Sequence, residues 1–246
     1  ILVLYGSEAR GYATMLLCLL TSILLVLDAL DAPETPFPAN ALAGLAALGT
    51  LAHLMMAPAL LVLTGWVFFI LMRRDGLRPA VSASLARMGP ALFAAGLVVA
   101  VIIGSAHMLA GGMTVGSVTP FSSALFTHAM GELISLTGGI GDYGSVSLAG
   151  WGLLFLLVLL ARRAKVFFLL LLIAMPLAVT LVQPVNSQFS RYYLLSAIGI
   201  LMLAGDSIGA LLARGSAWRG IGMAVLAAFA VTATLQIIQM HAIGRG

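Results

Sequence analysis

The sequence predicts an all-α, polytopic integral membrane protein with about eight transmembrane helices, including a short hairpin at 39–72, plus one helix in the outer interface. Three observations predict it. Of 246 residues, 62% are hydrophobic and 8% charged, whereas roughly a quarter are charged in a soluble domain. The mean hydropathy is +1.14. Apolar runs repeatedly reach the ~20 residues that cross a bilayer as helix, without the alternating segments of a membrane β-barrel. Eight acidic and twelve basic residues cannot cover a water-soluble body of this size. A soluble enzyme and a nucleic-acid partner are therefore excluded, despite a pI near 9.7.

The charges punctuate the elements. The chain opens Ile1-Leu2-Val3-Leu4 with no charged leader and no cleavage-site pattern, unlike a signal peptide. The expectation is a single transmembrane helical domain over 1–246, with further spans and a first outer loop upstream. The first apolar run, Gly11 to Leu27, lies between Arg10 and the acids Asp28, Asp31 and Glu34. Three prolines make 32–38 a loop, because proline breaks a helix interior. The uncharged stretch Ala39–Met72 would be ~51 Å long as one helix, against ~30 Å of hydrocarbon. It is either strongly tilted or a hairpin broken near 49–53 or at Pro58, and its length favours the hairpin. Further spans are expected at Ala91–Leu109, Leu148–Ala161, Val166–Val182, Leu194–Leu212 and Ile221–Ile238. Cys18 lies inside an apolar run and reads as a small packing residue.

Arginine and lysine gather on the cytoplasmic side of membrane proteins. Arg73, Arg74, Arg78 and Arg87 mark one such loop, Arg162, Arg163 and Lys165 a second, and Arg214 and Arg219 a third. Two spans separate each neighbouring pair. Arg191 then faces outward, and so does Arg10 if 39–72 is a hairpin. Between Ala110 and Val146 the longest outer segment contains a helical period over 121–137. Leu125, Phe126, Met130, Leu133 and Ile134 share one face, and His128, Glu132 and Ser135 the other. That pattern fits a helix lying in the interface. His128 and Glu132, one turn apart, are too few ligands for a metal, so none is expected. Asp206 lies within a span near its cytoplasmic end and reads as structural.

The most specific segment is Tyr5-Gly6-Ser7-Glu8-Ala9-Arg10-Gly11-Tyr12, directly before a span. It resembles the "EAR-x-Y" signature of GT-C superfamily glycosyltransferases of the protein O-mannosyltransferase and aminoarabinose transferase type. Leu51-Ala52-His53 resembles the "T-H-Y" element of the same enzymes, and Ser190-Arg191-Tyr192-Tyr193 their "RY" motif. The resemblance implies an enzyme taking a sugar from a polyprenyl-phosphate donor, with no other cofactor, and transferring it on the outer face of a bacterial inner membrane. It implies that Arg10, Arg191, Tyr12 and Tyr192 hold the lipid phosphate and that Glu8 and His53 support them. A guanidinium suits this task, being always charged and able to grip phosphate in a fork. Arg10 could instead anchor its helix among lipid headgroups, and the tyrosines are equally at home in an interfacial belt. The catalytic acid is expected upstream, and Glu132 and Asp142 are weak substitutes for it.

Two other functions fit the sequence. One is a non-catalytic scaffold subunit among other membrane subunits. The other is a transporter of a lipid-linked substrate, disfavoured by the shortage of midplane charges and broken helices.

Overall fold

The computed structural model describes residues 11–110, 122–138, 165–182 and 190–243. It divides into two compact units, one within Leu4–Gly116 and the other within Ser117–Gly246. The described residues are mostly helical, with no strand among them. Four of these helices, Tyr12–Asp31, Met56–Asp75, Leu77–Leu109 and Leu194–Leu212, are long and apolar enough to cross a membrane. The expected span at 148–161 lies outside the described residues.

The first unit holds α1 (Tyr12–Asp31), α2 (Ala39–Ala52), α3 (Met56–Asp75) and α4 (Leu77–Ala110). In α1, Met15, Cys18, Leu19, Ser22, Ile23 and Val26 are buried on one face, at helical spacing. Leu17 and Leu24, at 67% and 60% exposure, stand on the opposite face. A helix apolar on both faces suits lipid on one side and protein on the other. Ser22 is buried without penalty because its hydroxyl donates to the Cys18 carbonyl at 2.7 Å.

The stretch 39–72 is two helices. The break falls at His53–Met55, within the region where length predicts a turn. His53 is extended and its N–H still donates to the Gly49 carbonyl, closing α2 at 2.9 Å. Pro58 is the third residue of α3, where a helix N–H has no intrahelical partner to lose. The Phe37 ring, just before α2, lies 5.5 Å from the Arg87 guanidinium on α4. Only a hairpin permits this. Were α2 and α3 continuous, ~1.5 Å per residue would carry Phe37 more than 50 Å from Gly76, beyond reach of Arg87. α4 packs against both α2 and α3. Its buried residues are Ala80, Ser84, Met88, Ala91 and Ala95, mostly small side chains that let helices approach closely.

One expectation is corrected here. The segment carrying Arg78 and Arg87 is helix, and α4 begins at Leu77, with Pro90 in its interior. The connection between α3 and α4 shrinks to Gly76, whose φ of 86° reverses the chain in one residue. The N–H that Pro90 lacks would have reached the carbonyl of Ala86, an exposed residue.

The second unit contains α5 (Ser123–Gly138), α6 (Lys165–Leu169), a π-helical turn (Leu170–Ala174), α7 (Met175–Val182), a 3-10 turn (Ser190–Tyr193), α8 (Leu194–Leu212) and α9 (Ser216–Ile243). α5 covers the helix expected at 121–137. It buries Met130, Leu133 and Ile134 as its period predicts, whereas Leu125 is exposed. α9 includes the expected span at 221–238.

The π turn has a local cause and a local remedy. The Met175 N–H bonds five residues back to the Leu170 carbonyl. In that register the Leu171 carbonyl should accept from residue 176, which is a proline without an N–H. The Ser196 hydroxyl on α8 donates to Leu171 O instead, at 2.8 Å and buried. Gly199, one turn on, allows the approach, since a Cβ there would lie 3.1 Å from Leu171 Cβ.

Candidate functional site

Two of the three motif elements meet at one end of the first unit. Gly11 caps α1 with a φ of 80°, and a Cβ on it would collide with the carbonyl oxygen of Ala52. Glycine is the residue that tolerates both the backbone sign and the contact. This approach carries Tyr12 onto His53, their ring centroids 4.1 Å apart and tilted by 29°. Tyr12 is 8% exposed, a core position rather than a place in an open aromatic belt.

The His53 ring is oriented by its own turn. Its Nδ1 accepts the Met55 N–H at 3.2 Å. That bond assigns the neutral tautomer, in which Nε2 carries the proton and can donate. Burial holds the imidazole below its ordinary value, favouring the same neutral form. One turn earlier, the buried Thr50 hydroxyl has no hydrogen-bond partner among the described residues. The site therefore offers a fixed N–H donor beside an aromatic wall, held by a close backbone contact. Gly49 tightens the same corner, since a Cβ there would lie 2.9 Å from Met56 Cγ and 3.1 Å from Cys18 Cβ.

Arg10 and Glu8 lie outside the described residues, as does Asp142. The backbone of Arg191 and Tyr192 belongs to the 3-10 turn that leads into α8. Tyr192 is half-buried. Tyr193 is fully buried, edge-on to Phe126 at 6.4 Å, so it is a core residue of the second unit. His128 is exposed and Glu132 half-buried. Among the described residues no group of three or more His, Cys, Asp or Glu side chains converges on a point. Asp206 is exposed, and the neighbouring Ser207 hydroxyl turns back to the Leu203 carbonyl of its own helix at 2.8 Å.

The sequence singles out Tyr12 and His53, which the structure packs together, but not the parts of Gly11 and Thr50 in the same corner. The sign of a glycine φ is not written in composition or period. A threonine in an apolar run looks like any self-bonded helix threonine, such as Thr64, whose hydroxyl reaches the Leu60 carbonyl. No family model, no curated protein and no solved structure matches the chain.

Proposed function

We propose that the chain is the membrane portion of a GT-C type glycosyltransferase that takes a sugar from a polyprenyl-phosphate donor and transfers it at the outer face of a bacterial inner membrane. The observation that supports this reading is the packing of Gly11-Tyr12 on Ala52-His53. Two short elements, some forty residues apart and singled out by the same resemblance, share one corner. In this reading Arg10, adjacent to that corner in sequence, grips the phosphate, and Glu8 braces the guanidinium. The Nε2–H of His53 adds a neutral donor, and Tyr12 fixes the ring that carries it. Neutralising the phosphate also stabilises the charge that grows on it as the glycosidic bond breaks. Arg191 and Tyr192 are likewise assigned to lipid phosphate by the resemblance.

The test is sugar transfer from a lipid-linked donor in membranes carrying the full-length protein. Arg10→Ala removes charge and fork, and Arg10→Lys keeps the charge but loses the fork. Both variants are expected to insert normally and lose most transfer activity, with the lysine form retaining a fraction. A helix-anchoring arginine would tolerate lysine, which snorkels equally well. Wild-type activity in Arg10→Lys would end the case for Arg10 as the phosphate ligand. A wild-type protein without transfer activity would favour the scaffold reading.

A further inference from the structure

We propose that the α3–α4 end of the first unit is a docking surface for anionic phospholipid, with Arg73 and Arg78 on the headgroup phosphates and Leu77, Val81 and Leu85 against the acyl chains. Residues 73–87 carry four arginines and one acid, Asp75, which leaves three positive charges in excess (four minus one). Asp75 is committed to Arg74 through a two-pronged pair, Nε to Oδ1 at 2.9 Å and Nη2 to Oδ2 at 3.0 Å. Arg73 is exposed and lies over the Phe69 ring at 5.1 Å, which holds its charge beside apolar surface. Arg78 is exposed and makes no ion pair among the described residues. The acids Asp28, Asp31 and Glu34 belong to the end of α1 and the loop after it, and none is ion-paired with these arginines.

Next to this charge lies apolar surface that the unit does not cover. Leu77, Val81 and Leu85 are 61%, 44% and 62% exposed. Spaced four residues apart, they drift only about 40° per step and form one stripe along the first turns of α4. Arg78 lies about 20° beyond Leu85 around the same helix, so charge and apolar stripe adjoin. A soluble anion would use the guanidinium groups and leave the leucines bare. A phospholipid uses both, and an anionic one answers the uncompensated charge.

The experiment is native mass spectrometry of the full chain extracted from membranes with equal amounts of phosphatidylglycerol and phosphatidylcholine. The wild-type protein is expected to retain phosphatidylglycerol preferentially. Arg73→Gln with Arg78→Gln should reduce that retention roughly 30-fold, taking both arginines as typical juxtamembrane charges. The corresponding double lysine variant should keep most of it, which shows that a folded chain depends on the charge. Leu77→Gln with Leu85→Gln should weaken retention of both lipids. Equal retention of the two lipids by the wild type, or an undiminished preference in the double glutamine variant, would overturn the proposal. So would displacement of the lipid by inorganic phosphate alone. None of these readouts depends on sugar transfer.

Discussion

Gly11 bears on the candidate site through two independent properties. Its φ of 80° is a conformation that L side chains rarely adopt, and adopting it costs a non-glycine residue about 1–2 kcal/mol. Its missing Cβ also leaves room for the Ala52 carbonyl, and the obstacle is backbone rather than a side chain that could swing away. Gly11→Ala is therefore expected to separate Tyr12 from His53 and lower the melting temperature of the purified protein. A wild-type melting temperature in that variant would rule out the close approach. Gly44, where an added Cβ would meet nothing within 4 Å, is the control, and Gly44→Ala should be neutral or mildly stabilising.

His53 makes a prediction with a definite sign. Burial lowers its folded value beneath the ordinary 6.5, so the unfolded chain binds this proton more readily than the folded one. Stability from the neutral ring is then fully present above about pH 6.5 and is lost as the pH falls through the lower folded value. Protonation would also place a hydrogen on Nδ1, where the Met55 N–H now points. The difference in stability between wild type and His53→Gln should shrink from pH 8 to pH 5. A difference constant across that range would mean that the ring does not titrate with folding. At this scale the motif residues were legible and their surroundings were not: Tyr193 reads as an interfacial tyrosine in sequence, yet it is enclosed against Phe126.

Among the elements, periodicity was most informative where one face is buried. The period of α5 located both the helix and the Met130/Leu133 face. It was less informative for α4, where charged residues suggested a loop although the helix continues through Arg78, Arg87 and Pro90. An arginine can occupy a membrane-end helix by laying its head along apolar surface, as Arg87 does on Phe37. The π turn was not legible at all, because its cause is a missing donor at Pro176 and its remedy comes from another helix. That arrangement predicts coupling. Ser196→Ala alone strands the Leu171 carbonyl and should cost about 1 kcal/mol. Pro176→Ala returns an N–H to the chain, so Ser196→Ala should cost less in that background. A double-mutant cycle of unfolding free energies measures the difference. Strict additivity would show that Ser196 and Pro176 do not serve the same carbonyl.

At the scale of the whole molecule, hydropathy and charge gave the all-helical class, and length alone gave the hairpin at 39–72. With 14 residues, α2 is shorter than α1 and α3, which have 20 each. At 1.5 Å per residue it covers ~21 Å, short of the ~30 Å hydrocarbon layer. The proline loop makes up the difference: it brings Phe37 beside Arg87, ten residues into α4, before α2 begins. The far end of α2 is level with the start of α1, because Tyr12 stacks on His53. The hairpin apex should therefore reach the face opposite the proline loop. Single cysteines in a Cys18→Ala background test this, since Cys18 itself is buried. Thr35→Cys should react with a membrane-impermeant maleimide from the cytoplasmic side only, and Leu54→Cys from the outer side only. Labelling of both from the cytoplasmic side would make 39–75 a re-entrant hairpin. His53 would then lie away from the outer face, and a lipid phosphate at that face could not be its ligand.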